Sequence, residues 1–380
     1  MKNLFLNPSR GWVGMDIDQS AIHMAQVERK GTEYSIGATW TTFQPATRVA
    51  VSENQAQKSR AQNALASRNN GIAFSVDNPQ IGLESMIDQA KRARPLFSSS
   101  SAGITVGAGM VQYREFELNI EKPSELDGAV CLELEKEQGY DAGQTVVKAW
   151  ELPTGRRLRN RKQSAAIVTA DYDFSMWLGD LVSRAGFVPE VLDALPCALA
   201  RASEMFLGGA DHPCLMVHIG DACTTLTLVH QGLPILTRVL NLQGFEKLLI
   251  PLASEFGITL AEVNLLLMKA SIEGSRQIEN SNELMEIVSG FQLRFVQSLA
   301  GEIYRTLEYI RAEHVNSEPK GILLCGNGSV MPMLSLQFEQ LLEIPTETWS
   351  LVCSDHVNRG MPLSLYAVAA GLSTIAWEEN

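Results

Sequence analysis

The chain has 380 residues, 45 % hydrophobic and 19 % charged, proportions that exclude a disordered or fibrous protein. At roughly 100–200 residues per domain, the length calls for two or three domains or one large two-lobed fold. Lys and Arg number 31 against 43 Asp and Glu, and a net charge of −12 excludes a broad nucleic-acid or anionic-membrane surface.

The chain opens with three expected strands, Gly11–Ile17, Ala21–Glu28 and Glu33–Phe43. Polar turns at 18–20 and 29–32 join them into a meander. Residues 44–72 are rich in Gln, Asn, Ser, Ala and Arg, which predicts a mobile insertion with a short helix near 54–66. A helical pattern follows over Leu83–Ala93, then strands at Ile104–Gly107 and Gln112–Leu118. Pro123-Ser124-Glu125-Leu126 reads as a helix start, with Leu126, Ala129, Val130 and Leu134 on one face.

Strands are expected at Val146–Leu152 and Ser164–Thr169. The link between them carries the basic run Arg156 to Lys162, read as a solvated hairpin tip. Tyr172–Ala185 is a helix closed by Gly186, and Ala198–Phe206 is a second. Gly208-Gly209-Ala210-Asp211 then punctuates the middle of the chain.

The second half restarts in the same order: strand Cys214–Ile219, a Gly220-Asp221-Ala222 turn, strand Thr224–His230 and strand Ile235–Val239. Both halves thus begin with a strand, a small polar turn and two more strands, an internal duplication of pattern. Helices are expected at 245–256, 259–270 and about 282–314, then strand Lys320–Cys325, a Gly326-Asn327-Gly328-Ser329 turn, helix Met333–Leu342 and a closing apolar helix Ser364–Ile375.

Six cysteines lie at least nine positions apart and form no C-x-x-C pair, so they read as buried free thiols of a reducing compartment. No run of about 18 apolar residues is present, and the N-terminal Leu4-Phe5-Leu6 is too short for a signal-peptide core. A cytoplasmic location is expected. The sequence lacks a P-loop lysine, a G-x-S-x-G elbow and an H-E-x-x-H zinc motif.

A tight strand–turn–strand can aim backbone N–H groups at phosphate oxygens, and its carboxylate can hold a metal-bound water. Two such hairpins facing each other, with a Gly-rich turn in the second half, would clamp a nucleotide. Six stretches carry a resemblance that covers nearly the whole chain. They are Val13–His23; Arg114–Leu118 with Ser124–Leu126; Ala185–Pro189 with Leu192–Ala194; Val217–Leu226; Leu324–Pro332; and Tyr366–Leu372. In this order they resemble the PilM family of type IV pilus assembly proteins. That family belongs to the actin-like ATPase superfamily and is akin to the cell-division protein FtsA.

The resemblance implies an α/β, actin-like (ribonuclease H-like), duplicated two-lobed fold with an inserted 1C-type subdomain. It divides the chain into 1A (1–115 and 189–210), 1C (116–188), 2A (211–244 and 318–380) and 2B (245–317). It implies a nucleotide site, for ATP with Mg²⁺, at Asp16, Asp18, Gln19, Ser20, His23, His218, Gly220, Thr224, Gly244, Gly326, Asn327 and Gly328. Asp16 would direct the metal through water. The bland alternatives are a turn-capping carboxylate at Asp16, a satisfied strand histidine at His218, and glycines that merely allow positive φ.

Departures from the family pattern cluster at this site. Asp18 stands where Gly is usual, His23 where a Lys-like residue is usual, and His218 where the metal-directing Asp belongs. Asn264 and Leu267 replace a Glu and a Lys near the sugar or base. Gln243-Gly244 replaces a glycine pair, and Asn327 and Met333 replace glycines. A charged Asp18 about 5 Å from a phosphate charge would cost roughly 3 kcal/mol at an effective dielectric of 20. The expectation is a degenerate site without hydrolysis, and with no cofactor as an open outcome.

The resemblance implies an adaptor at the inner membrane, peripheral to it through partners and with no insertion of its own. The cytoplasmic peptide of a bitopic PilN-like partner would lie between 1A and 1C, near strands 104–118. A secretion-type ATPase is a further implied partner, and nucleic acid is not. The competing reading is an active ATPase or small-molecule kinase of the same superfamily.

Overall fold

The computed structural model describes residues 9–44, 79–118, 120, 122–137, 140–152, 163–209, 212–273, 282–313, 317–354 and 360–378. Most of the 44–72 insertion, with its helix near 54–66, and the basic run 156–162 lie outside the described residues.

Three sheets organise the chain. The first has the order β3-β2-β1-β4-β8, built from β1 (Ser9–Ile17), β2 (Ala21–Lys30), β3 (Glu33–Phe43), β4 (Ser101–Val106) and β8 (Val188–Leu192). The second has the order β11-β10-β9-β12-β13, from β9 (Cys214–Ile219), β10 (Thr224–His230), β11 (Leu233–Leu240), β12 (Ile322–Cys325) and β13 (Thr346–Thr348). In each, an antiparallel meander is extended on its other side by two parallel strands. The duplicated pattern is therefore a duplicated topology. Each first strand, β1 and β9, is central; β9 is buried throughout and β1 from Val13 to Ile17.

The third sheet is antiparallel and small, in the order β5-β7-β6 from β5 (Gln112–Leu118), β6 (Thr145–Glu151) and β7 (Gln163–Asp171). Helix α1 (Pro79–Ala93) precedes β4, and helix α2 (Leu126–Leu134) packs on the small sheet through Leu126, Val130 and Leu134. This sheet lies in sequence between β4 and β8.

Helix ends follow local chemistry. Asp171 caps α3 (Tyr172–Arg184) by accepting from the Phe174 N–H at 2.8 Å. Gly186, with φ +90°, closes that segment, and Gly208 closes α4 (Leu195–Leu207) in the left-handed region. After α5 (Glu246–Phe256), Thr259 and Glu262 exchange bonds of 2.8 and 3.2 Å in a capping box that starts α6 (Leu260–Glu273). The long α7 (Asn282–Glu313) and α8 (Leu334–Leu342) complete the second lobe with α5 and α6.

Among the described residues the expected strands and helices are present, with ends shifted by a few residues. Two short strands are new, β8 and β13. Both are edge strands paired in parallel on one side only. The closing segment is not one continuous α-helix: α9 (Ala367–Ser373) is flanked by 3-10 turns at Leu363–Tyr366 and Thr374–Trp377. It packs so closely on β1 that a Cβ at Gly14 would lie 1.7 Å from the Ala369 carbonyl. Cys214, Cys223 and Cys325 are buried free thiols, but Cys131 is exposed. Its outer position on α2 explains the difference.

Candidate functional site

The β1–β2 turn and the β9–β10 turn meet tip to tip. Parallel pairing of β1 with β4, and of β9 with β12, places both turns at the C-terminal ends of parallel strands. Asp18 Oδ1 accepts from the Gln19 N–H at 2.8 Å, and Asp18 Oδ2 accepts from the Asp221 N–H of the opposite turn at 2.9 Å. The bond is returned: Asp221 Oδ2 accepts from the Ser20 N–H at 3.0 Å and from the Ser20 hydroxyl at 2.6 Å. Each hairpin thus presents a carboxylate to a backbone amide of the other, across about 200 residues of chain.

The seat of Asp18 is shaped by glycines. A Cβ at Gly107 would lie 2.7 Å from Asp18 Oδ1, and one at Gly220 would lie 2.9 Å from Asp18 Oδ2. Side chains there would push the carboxylate out. The cavity left beside it holds about 10 Å³, room for roughly one water.

Asp221 Oδ1 accepts from Asn327 Nδ2 at 2.8 Å, so the Asn327 carbonyl oxygen faces His23 Nε2 at 2.6 Å. Thr41 Oγ1 lies 2.9 Å from His23 Nδ1 and 3.0 Å from the Tyr366 hydroxyl. Burial lowers the His23 pKa and keeps the ring neutral, which suits a donor on Nε2 alone. His218 differs. Burial opposes its charge, but Asp16, 3.9 Å away, with Asp18 and Asp221, outweighs that and raises its pKa. Asp18 is raised by burial and the Asp16 charge; Asp221 is raised to about 6 by burial and the Asp18 charge.

The remaining expected residues support this junction. Gly326 (φ +84°) fits against the His218 ring, where a Cβ would come within 2.8 Å, and Gly328 sits as closely on Ile219. Thr224 is buried and bonds the Gln243 carbonyl. Gly244 packs on the Asp221 backbone, where a Cβ would lie 2.1 Å from the carbonyl oxygen. The Gly220 and Asp221 carbonyls accept from the Phe245 and Glu246 N–H groups at 2.8 and 3.0 Å. The N-terminus of α5 is thereby bonded to protein.

Asp16, Asp18, Gln19, Ser20, His23, His218, Gly220, Gly326, Asn327 and Gly328 converge, whereas Thr224 and Gly244 lie behind the second turn. Asn264 is buried and its amide oxygen has no partner among the described residues; Leu267 is a core residue. Met333 adopts φ +57° while half exposed, a left-handed backbone that costs a non-glycine residue roughly 1–2 kcal/mol.

Sequence reasoning missed Asp221. Its signal was available: laid on the first copy, Gly220-Asp221 covers Asp18-Gln19, so both tips carry an acid one position apart.

Solved structures decide the fold. A chain of a PilM-PilN type IV pilus biogenesis complex aligns over 97 % of this chain and 98 % of its own, at TM-score 0.68 and 17 % identity. This chain has the actin-like fold. The ethanolamine utilization protein EutJ from Carboxydothermus hydrogenoformans aligns over 97 % of this chain and 90 % of its own, at TM-score 0.46 and 13 % identity. The activator of 2-hydroxyisocaproyl-CoA dehydratase from Clostridium difficile, solved with ADPNP bound, aligns over 98 % and 95 %, at TM-score 0.41 and 10 % identity. No protein-family model matches the sequence, and no curated protein does.

In this actin-like chain, the residues do not fit a triphosphate between the hairpins as they stand. The Ser20 and Asp221 amides already serve carboxylates, and the Asp18 carboxylate fills the glycine-lined seat. A phosphate oxygen there would displace those bonds and face buried acids.

Proposed function

We propose that the protein is a PilM-like, actin-fold adaptor of a type IV pilus or related secretion assembly at the inner membrane. The observation that carries this reading is the full-length likeness to the PilM-PilN complex. In this reading the three-stranded sheet is the inserted 1C-type subdomain, and the cytoplasmic peptide of a PilN-like bitopic protein lies between it and the first sheet.

At that place the two sheets face each other across a narrow cleft, which as it stands has room only for water. Tyr113, Val146, Lys148, Val168 and Ala170 face Thr105, Val106, Leu192 and Ala194 across a cavity of about 30 Å³. The first group shares one face of the small sheet by register. Lys148 crosses to an ion pair with Asp193, and Val146 is partly exposed. An extended peptide there would gain apolar pockets and edge-strand bonds. The competing ATPase or kinase reading needs free donors on both hairpins, and these are engaged.

The test is capture of the tagged chain from detergent-solubilised membranes of its own cells, with and without Mg-ATP. The expected result is recovery of a small bitopic membrane protein and a secretion-type ATPase, unchanged by nucleotide and lost in Val146→Arg. A partner-free monomer would overturn the adaptor reading.

A further inference from the structure

The hairpin junction carries an inference that stands whether or not the chain is an adaptor. We infer that the Asp18 and Asp221 carboxylates take the place of a bound anion between the lobes: the chain supplies its own ligand, and closure needs no nucleotide.

Three independent features of the geometry support this. The bonding is reciprocal, with each carboxylate satisfying an amide on the opposite turn at 2.9–3.0 Å. Those amides are the type of donor that strand–turn–strand nests offer to phosphate oxygens. The second feature is shape. Asp18 sits where only glycine at 107 and 220 leaves room, so the seat suits a compact planar anion and is filled by one. The third is hydrogen bonding. Asn327, Ser20 and Gln19 donate to the two carboxyl groups, which with the Asp221 amide leaves each of their four oxygens met by a donor.

A self-supplied anion differs in consequence from a bound one. A nucleotide leaves by dissociation and its contribution scales with its concentration. A carboxylate on the same chain is always present, at an effective concentration fixed by the fold. The angle between lobes is then set at folding and does not follow the nucleotide pool.

Hydrogen exchange read by mass spectrometry on the full chain tests this. Peptides spanning the 18–22 and 219–224 amides are to be followed without ligand, with millimolar Mg-ATP, and with millimolar pyrophosphate. In the unmodified chain both peptides are expected to be protected without ligand and unchanged by either addition. Asp18→Gly removes the internal anion while restoring a small residue. It is expected to lose about tenfold in protection at 219–224, the signature of local opening, and to regain it with pyrophosphate.

If Asp18→Gly fails to fold, Asp221→Ala removes the acceptor of the Ser20 amide and is expected to lower protection at 18–22. Free-rate exchange of both turns in the unmodified chain would overturn the inference. So would added protection by Mg-ATP, or an opened Asp18→Gly that pyrophosphate leaves open. None of these results bears on partner capture, so the two proposals fail separately.

Discussion

Two buried acidic centres in this protein have opposite electrostatics. Asp193, just after β8, is met by Lys148 from the small sheet and by Arg201 from α4, whose guanidinium bonds it at 2.6 Å. Arg201 also holds Glu378 at 2.6 Å. Burial raises the Asp193 pKa, but the Arg201 and Lys148 charges outweigh it and bring it below the ordinary value. Asp18 and Asp221 are buried as deeply, yet their neighbours are each other, Asp16, two histidines and neutral donors, and both are raised. Burial alone therefore does not fix the protonation of an acid; the sign of the neighbouring charge does. The first centre is a strut that joins three segments. The second is a clasp under electrostatic tension.

The largest effect should come from breaking the strut. Asp193→Ala leaves Arg201 buried with one of its two acids, and is expected to cost about 3 kcal/mol in urea unfolding. Asp221→Ala removes the acceptor for Ser20 and Asn327 but also relieves repulsion with Asp18, so about 2 kcal/mol is expected. A cost equal to that of Asp193→Ala would erase the distinction between the two centres.

pH separates them further. Asp193, with a lowered pKa, contributes stability that is present above its unfolded value and lost as pH falls through its folded value, below about 4. Asp221 works the other way. Its native state holds a proton to about pH 6 while the unfolded state releases it near 3.8, so stability falls as pH rises between those values. Glu246, raised to about 7 by burial and the Asp221 charge, and His218 carry the decline further upward. Unfolding free energies from pH 4 to 8 should therefore show a smaller decline in Asp221→Asn than in the unmodified chain. Equal slopes would mean the clasp does not titrate. The smallest effect is expected for Ser20→Ala, about 1 kcal/mol, measured in the same way.

The comparison also shows what the sequence makes legible. The duplicated hairpins were readable because alternation and turn residues are local, and β9 and β10 fall on their expected spans, Cys214–Ile219 and Thr224–His230. Strands β8 and β13 were not, because short edge strands carry little periodicity and gain their identity from a distant partner. Asp18 was visible as a charge in a turn where the family resemblance placed glycine. Its acceptance of the Asp221 amide was not visible, since a bond across 203 positions has no local signature. Asp193 illustrates the same limit. It sits in a recognisable Leu-Asp-Ala stretch, but its two cations come from Lys148 and Arg201 on separate elements.

The contact between α9 and β1 also has a consequence for biosynthesis. Ser373 accepts the Val27 amide at 2.9 Å and donates to the Trp12 carbonyl at 2.6 Å, while Gly14 admits the Ala369 carbonyl almost into the strand. During translation the opening strands emerge hundreds of residues before the helix that seals them. Val27, buried in the finished molecule in the cluster that holds Val368 and Leu372 of α9, then waits with an open flank until the last residues of the second lobe are made. That face of the first sheet is completed last, although its strands are made first.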